Sequence, residues 1–184
     1  SAVDINGKTT HNFDFTARGP FMDQAAERMC KLGGEPEFDM LISDYEAYFN
    51  GYNLSFTERT LSKFKKYFEE KHKNMKYVDP NTMTLQKREY PEHYKIWVEW
   101  KSAQFFEYMS DIAAKVRAKH PKLKIGFCTT PGVSEWQCKE VYLQDNRLWN
   151  NTFLDHNVTM VYNNLYSTMH NCRAEMDTMG GMAE

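Results

Sequence analysis

The chain has 184 residues, of which 41% are hydrophobic and 15% aromatic, and its formal net charge is -2. This length and composition favour a single folded domain and argue against a disordered chain. No long run of like charges suggests a nucleic-acid footprint, and no apolar segment reaches the roughly 20 residues that span a bilayer. We therefore expect a soluble protein with no nucleic-acid partner and no membrane span.

The first predicted elements are a strand, a helix and a second strand. Residues 10–18 alternate loosely and carry aromatic and β-branched side chains, which favours a short strand. Pro20 suits a first helical position and Gly33 with Gly34 supplies a stop, so a helix is predicted between them. Residues 38–46 contain a bounded apolar run, which is typical of a buried parallel strand.

Helical patterns dominate the middle of the chain. Ser55 to Glu58 form a capping-box pattern, and apolar residues at helical spacing then predict a helix over about 56–74. Residues 76–90 show no clear period and are predicted as a loop. A long helix is predicted from Pro91 to about Lys119, ended by the proline that follows. We interpret residues 52–95 as a helical insertion.

Two further strands are predicted near the carboxyl terminus, at 122–132 and 157–167, with a loop and a helix between them. Strands that alternate with helices favour an α/β fold of successive β/α units on a parallel sheet. Four strands cannot close an eight-stranded barrel, and the chain begins and ends without helix caps. The sequence therefore predicts one domain over 1–184, either a fragment of a (β/α)8 TIM-type barrel or a smaller open α/β sheet.

The barrel fragment is favoured because polar residues follow three of the strands, and barrel enzymes build their sites at the carboxyl ends of strands. Asp44 and Glu46 end one strand, Cys128 to Thr130 end the next, and Tyr162 to Asn164 end the last. In a strand, residues two apart project the same way, with Cα atoms roughly 6 to 7 Å apart. Two carboxylates so close resist joint ionisation, and one can stay protonated as a general acid. The alternative is a solvated strand end.

The stretch "FDMLISDYE" resembles the fourth-strand motif F-D-G-x-D-x-D-x-E of the family-eighteen glycoside hydrolases, the chitinases and their relatives. The matching positions are Phe38, Asp39, Asp44 and Glu46. Met40 and Ile42 replace the glycine and the middle aspartate. Downstream, "MVYN" resembles the sixth-strand M-x-Y-D, with Asn163 in place of the aspartate. Hyaluronidases share the D-x-E pair followed by an aromatic residue, and no counterpart of the family's third-strand S-x-G-G is found.

The resemblance implies a glycoside hydrolase that acts on a polysaccharide or glycan containing N-acetylhexosamine. Glu46 would be the general acid at the leaving oxygen. Asp44 would orient and stabilise the substrate's own N-acetyl group, which acts as the nucleophile, and Tyr162 would donate a hydrogen bond to the acetamido oxygen. Asp39 and Asn163, which lie on motif positions, become candidate substrate-binding residues.

Alternatives remain at three points. An ordinary second carboxylate, Glu135 or Asp155, could replace the substrate's acetamido group in the mechanism. Trp136 and Trp149 could stack on sugar rings if they are exposed, or could be buried beneath a loop. The replaced aspartates also fit a catalytically inactive carbohydrate-binding protein, and a third interpretation is an open-sheet protein unrelated to sugars.

Cysteines, histidines and sequons give further expectations. Four cysteines and six histidines show no CxxC or HExxH spacing, so no metal site and no cofactor are predicted. N-glycosylation sequons favour a secreted or extracellular protein, although the first ten residues lack a signal-peptide core; the sequons are at Asn53, Asn150 and Asn157. If the protein is secreted, Cys128 and Cys138 are the predicted disulfide pair, because a predicted turn lies between them. The alternative is buried, reduced thiols.

Overall fold

The computed structural model describes residues 1–10, 14–16, 20–34, 38–44, 51–129, 134–150 and 152–159. Within these residues the chain is mixed α/β. The helices are α1 (Pro20–Gly33), α2 (Glu58–Lys71), α3 (Pro80–Leu85), α4 (Pro91–Lys119), α5 (Glu135–Tyr142) and α6 (Asn146–Asn150). The strands are β1 (Met40–Asp44), β2 (Lys124–Thr129) and β3 (His156–Thr159), and a short 3-10 turn spans Gly51–Asn53.

The three strands form one parallel sheet in chain order, β1-β2-β3. Met40 pairs with Lys124 at the amino end of β1, and Asp44 pairs with Cys128 at its carboxyl end. The parallel α/β class predicted from the sequence is therefore confirmed. The order also means that each strand lies beside the next strand in the chain.

Helices cover one face of this sheet. Ile125 and Phe127 of β2 are almost fully buried, and they pack in a core with residues of α1, α4 and α6. The opposite face carries Ile42, Gly126 and His156 side by side in one row. Ile42 is 45% exposed, and among the described residues the hydrophobic core of the sheet lies on the other side, so we call the side of Ile42 the open face. Parallel sheets are normally covered on both faces.

A second core, which we call the aromatic cluster, lies away from the sheet. Its buried residues come from positions 56–100, and at its centre Phe64 packs edge-on against Trp97, with ring centroids 4.8 Å apart. Trp100 stacks on Trp97 at 5.5 Å. The amino-terminal half of α4 packs in the aromatic cluster, and its remaining turns pack in the sheet core. No helix in the described part of the chain is long and apolar enough to cross a bilayer.

The predictions of α1 and α4 are confirmed, since both helices begin and end at the predicted residues. The strand predicted at 10–18 is wrong at its described centre, residues 14–16, which form a turn. There the Asp14 carboxylate accepts the backbone N–H of Thr16 at 2.9 Å, and this bond bends the chain. The loop predicted at 76–90 contains α3, whose amino end is capped by the side chain of Asp79.

The start of α2 also differs from the capping-box prediction. The capping residue is Thr57, whose side chain accepts the backbone N–H of Thr60 at 3.2 Å. Ser55 is instead fully buried with φ of 74°, in the left-handed region that non-glycine residues rarely adopt. Thr57 is held at the capping position because its hydroxyl also donates to the Asp14 carboxylate at 2.8 Å. The two residues are 43 positions apart in the sequence.

Candidate functional site

The carboxyl end of the sheet brings three residues into one row: Asp44, Cys128 and Val158. Asp44 therefore holds the position predicted for it, at the end where barrel enzymes place their chemistry. In the next row, Thr129 donates to the side-chain oxygen of Asn157 at 2.6 Å. The other catalytic candidates, Glu46 and Tyr162, lie outside the described residues, as does Asn163.

Asp39 lies at the opposite end of the strand. Its carbonyl accepts the backbone N–H of Lys124 at 3.0 Å, which places Asp39 just before the amino end of the sheet. Five residue-to-residue steps of extended chain lead from Asp39 to Asp44, a span of roughly 16 Å. The structure does not bring these two motif positions together, so one sugar ring could not contact both.

Trp149 is a core residue, which corrects the sugar-stacking role predicted for it. Its side chain is 0% exposed, and its ring meets Phe127 edge-on with centroids 4.7 Å apart. Phe105 lies 5.3 Å away on another side. A ring enclosed by the sheet and α4 cannot receive a sugar, and the burial alternative holds for this residue.

Trp136 differs from Trp149 because it is half-buried on α5 and packs against the edge of the aromatic cluster. Its neighbour is Tyr94 of α4, with ring centroids 6.3 Å apart. The indole N–H also hydrogen-bonds Glu140 one turn further along α5. Of the two predicted stacking residues, Trp136 is the one whose surroundings still allow contact with a ligand.

Glu140 is the centre of a polar group that joins α5 to the start of α4. Lys87 donates to its carboxylate at 2.8 Å and the Tyr94 hydroxyl at 2.7 Å. Burial acts to raise the pKa of Glu140, but these two hydrogen bonds outweigh it and hold the pKa below its ordinary value. Burial and the bond to Glu140 both raise the pKa of Tyr94. The Lys87 amine also lies 4.4 Å from the centre of the Tyr94 ring. The polar atoms of Lys87, Tyr94 and Glu140 therefore find partners in one another.

Lys101 of α4 is a buried cation that lies outside the sequence motifs. Its side chain is 0% exposed, and its amine donates to the carbonyl of Gly51 at 2.6 Å. Burial lowers the pKa of Lys101 to about 7, the charge of Lys87 acts in the same direction, and that of Glu140 opposes it. A signal was present, because Lys101 falls on the apolar stripe of α4, four residues after Trp97 and four before Phe105.

The two alternative carboxylates lie at opposite ends of the sheet. Asp155 precedes β3 and accepts the backbone N–H of Ile125 at 2.8 Å, so it lies at the amino end, away from Asp44. Burial acts to raise its pKa, but bonds from Ile125 and Arg117 lower it, as expected of a structural carboxylate. Glu135 begins α5, after the carboxyl end of β2, and is paired with Lys139 at 2.8 Å.

The disulfide predicted between Cys128 and Cys138 is absent, since the structure has both residues as thiols. Cys138 is buried on α5, whereas Cys128 is half-buried in β2 at the row of Asp44. The strand and the helix therefore hold these thiols without a covalent link, which agrees with the alternative of reduced cysteines.

Within the described residues, no three histidine, cysteine, aspartate or glutamate side chains lie close enough to hold a metal ion. Comparisons with models of protein families, with curated proteins and with solved structures found no match. The function of this site is therefore inferred from the geometry of the chain and from its sequence motifs.

Proposed function

We propose that this chain is part of a (β/α)8-barrel glycoside hydrolase that acts on glycans containing N-acetylhexosamine, with Glu46 as the general acid. The observation that carries the proposal is the position of Asp44. It ends the first strand of a parallel sheet whose neighbours follow in chain order, which is the strand order of a barrel. In this proposal Glu46, two residues later, extends from the same edge.

The open face supports a barrel over a smaller open sheet. In a closed barrel, helices cover only the outside of the sheet, and side chains of the inner face fill the interior. Here the helices lie on the face of Ile125 and Phe127, while Ile42 is 45% exposed on the other.

The proposed mechanism needs a general acid, Glu46, beside a stabilising anion, Asp44. Glu46 would protonate the leaving oxygen while the acetamido group of the sugar attacks the anomeric carbon. Asp44 would remain ionised and stabilise the positive charge of the cyclised intermediate, with Tyr162 donating to the acetamido oxygen. The half-buried side chain of Trp136 would stack on a sugar ring. If the protein is secreted, it would encounter glycans containing N-acetylhexosamine outside the cell.

A second candidate is a carbohydrate-binding protein of the same fold that has lost catalysis. It is favoured by one observation: the middle aspartate of the resembled motif is Ile42, which carries no charge and is exposed on the open face. Without that carboxylate, the proton and position of Glu46 lose one supporting group. Sugar binding through aromatic rings would survive this loss.

Substitution of the two carboxylates tests the proposal. We expect Glu46→Gln to lower kcat by about 100-fold or more while sugar affinity survives, because the amide keeps the shape but has no transferable proton. Asp44→Asn should damage cleavage of N-acetylated glycosides, since it removes the charge that stabilises the intermediate. The measurement is cleavage of matched chromogenic glycosides with and without the acetamido group.

Glu99→Gln is the matched control, because it makes the same chemical change at an exposed carboxylate on α4. It should leave turnover unchanged. Full activity of Glu46→Gln would reject Glu46 as the acid. Harmless Asp44→Asn on N-acetylated substrates would reject the substrate-assisted mechanism, and binding without cleavage by the unmodified chain would favour the inactive carbohydrate-binding protein.

A further inference from the structure

The polar group around Glu140 surrounds a cation with aromatic rings. The Lys87 amine lies 4.4 Å from the centre of the Tyr94 ring and 5.0 Å from the centre of the Tyr52 ring. Both distances are within the roughly 6 Å over which a ring face attracts an ammonium ion. The Trp136 ring packs edge-on against Tyr94, and its indole N–H bonds Glu140. We call these surroundings of the amine the cation cage, and its members are Tyr52, Tyr94, Trp136 and Glu140.

One carboxylate supplies the negative charge of the cation cage. Glu140 accepts from the Lys87 amine at 2.8 Å and from the Tyr94 hydroxyl at 2.7 Å. Burial acts to raise the pKa of Glu140, but these hydrogen bonds outweigh it and hold the pKa below its ordinary value. Glu140 is therefore ionised at neutral pH. Aromatic faces beside an anion are the arrangement by which proteins recognise organic ammonium ions.

The elements that form the cation cage are fixed by contacts other than those of Lys87. Tyr94 is only 5% exposed and packs in the aromatic cluster from α4, while α5 carries two other members of the cage. Tyr52 lies in the 3-10 turn. There Gly51 packs so closely on Leu143, the residue after α5, that an added Cβ would lie 2.8 Å from its Cγ. The cage is therefore preformed, as ligand sites usually are.

The occupant of the cage comes from a surface turn. Lys87 lies between α3 and α4, and its side chain is 39% exposed. The side chain of Glu140 is 21% exposed, so solvent reaches this ion pair. Ion pairs with this much exposure contribute little to stability, and the lysine can therefore leave the cage at small cost. The geometry shows which chemistry the cage accepts: a primary ammonium on an unbranched alkyl stem.

We propose that the cation cage is a binding site for a small primary alkylammonium ion from solution, and that Lys87 occupies the site when no ligand is bound. This proposal does not rest on the proposed hydrolase function. Because Lys87 and the cage belong to one chain, the lysine is an intramolecular competitor of the ligand. The apparent affinity is then the intrinsic affinity multiplied by the fraction of molecules whose cage is vacant.

Titration of the full chain with n-butylammonium, which reproduces the lysine side chain, tests the site by NMR. The reporter is the indole N–H signal of Trp136, because this group bonds Glu140, and it is assigned from its loss in Trp136→Phe. We expect a saturable shift in the unmodified chain, and an affinity about tenfold or more higher in Lys87→Ala, which has no competitor. n-Butanol has a similar size and no charge, and it should cause no saturable shift.

Three controls separate charge, hydrogen bonding and the identity of the lysine. Lys95→Ala removes an exposed lysine of α4 and should bind n-butylammonium as the unmodified chain does. Glu140→Gln keeps the shape of the cage without its charge, and it should lower the affinity about tenfold or more. Tetramethylammonium has no N–H to donate to Glu140, so it should bind the unmodified chain more weakly than n-butylammonium.

The proposal is overturned if the unmodified chain shows no saturable shift, even where Lys87→Ala binds, because the cage would then be a closed internal ion pair. Equal affinities of the unmodified chain and Lys87→Ala would reject the lysine as the competitor. Equal binding of n-butanol, of tetramethylammonium, or by Glu140→Gln would reject a primary ammonium as the ligand. If Lys87→Ala does not fold, the unmodified chain and Glu140→Gln decide, because saturable binding must be present in the first and weakened in the second.

Discussion

Trp136 and Trp149 were predicted to have the same role from the sequence, but they differ in solvent exposure. Trp136 is half-buried beside Tyr94, whereas Trp149 is enclosed by Phe127 and Phe105. We expect Trp149→Ala to lower the free energy of unfolding by about 3–5 kcal/mol, because it leaves a large cavity in the core. Under the proposed function, Trp136→Ala should instead weaken the affinity for oligosaccharides that contain N-acetylhexosamine, because a sugar ring would lose its stacking partner.

Urea unfolding and calorimetric sugar titration measure these two effects on the same preparations. Trp136→Phe is the matched variant, since it keeps an aromatic face while removing the N–H that bonds Glu140. Affinity retained by Trp136→Phe and lost by Trp136→Ala supports stacking. Equal sugar affinity in Trp136→Ala and the unmodified chain would exclude this ring from the binding site.

At the residue scale, the sequence predicts positions that depend on local order and misses groups that depend on distant contacts. Asp44 is placed correctly at the carboxyl end of a strand because strand register follows the apolar run before it. Lys87 and Glu140 are 53 residues apart, and nothing near either residue indicates that they meet. Lys101 is detectable only as a charge on an apolar stripe, and its partners are backbone carbonyls that any sequence would supply.

At the scale of elements, the amino end of α2 offers a direct comparison between two capping candidates. We expect Thr57→Ala to lower the free energy of unfolding by about 1–2 kcal/mol, because Thr60 loses its cap and Asp14 loses a hydroxyl donor. Ser55→Gly should cost nothing or stabilise the chain, since glycine accepts the positive φ and removes a buried hydroxyl without a partner.

Thermal and urea unfolding of both variants check this comparison, with Thr57→Ser as the control that keeps the hydroxyl. Thr57→Ser should stay close to the unmodified chain in stability. A larger loss for Ser55→Gly than for Thr57→Ala would restore the capping box that the sequence indicated and would contradict the observed cap.

The helices that were predicted correctly have strong start and stop signals in the local sequence. Pro20 and Gly33 bound α1, and prolines at 91 and 121 bound α4, so no distant contact is needed to define them. The failures depend on tertiary contacts or on short length. Residues 14–16 carry a strand-like composition, but the Asp14 carboxylate accepts the N–H of Thr16 and the hydroxyls of Thr57 and Thr60 at the amino end of α2, and these bonds hold a turn. The six residues of α3 are too few to show a helical period.

At the scale of the whole molecule, the open face makes the identity of residue 42 a test of the proposed enzyme. Ile42→Asp restores the middle carboxylate of the resembled motif at a position that is 45% exposed. We expect kcat on an N-acetylated glycoside to rise about tenfold or more, because a carboxylate beside the pair raises the pKa of the acid and favours its protonated form.

The control for this experiment is Ile42→Asn, which has the same size and no charge, so its kcat should stay near that of the unmodified chain. The pH profile of kcat gives a second measurement, because the alkaline limb, where the general acid loses its proton, should move to higher pH in Ile42→Asp alone. Equal rates for the aspartate and asparagine variants would show that charge at this position does not act on the acid.

The sharing of α4 between the two cores has a consequence for the order in which the molecule folds. The buried residues of the aromatic cluster come from 56–100, so its contacts close short loops. The sheet core joins segments far apart, as in the contact of Cys30 with the carbonyl of Lys115, 85 residues away. Because loop-closure entropy grows with separation, we expect the aromatic cluster to form before the sheet core and to nucleate the amino-terminal half of α4. In that order, β1 and β2 would pack on the helix late in folding, so substitutions in the aromatic cluster should slow folding and substitutions in the sheet core should mainly speed unfolding.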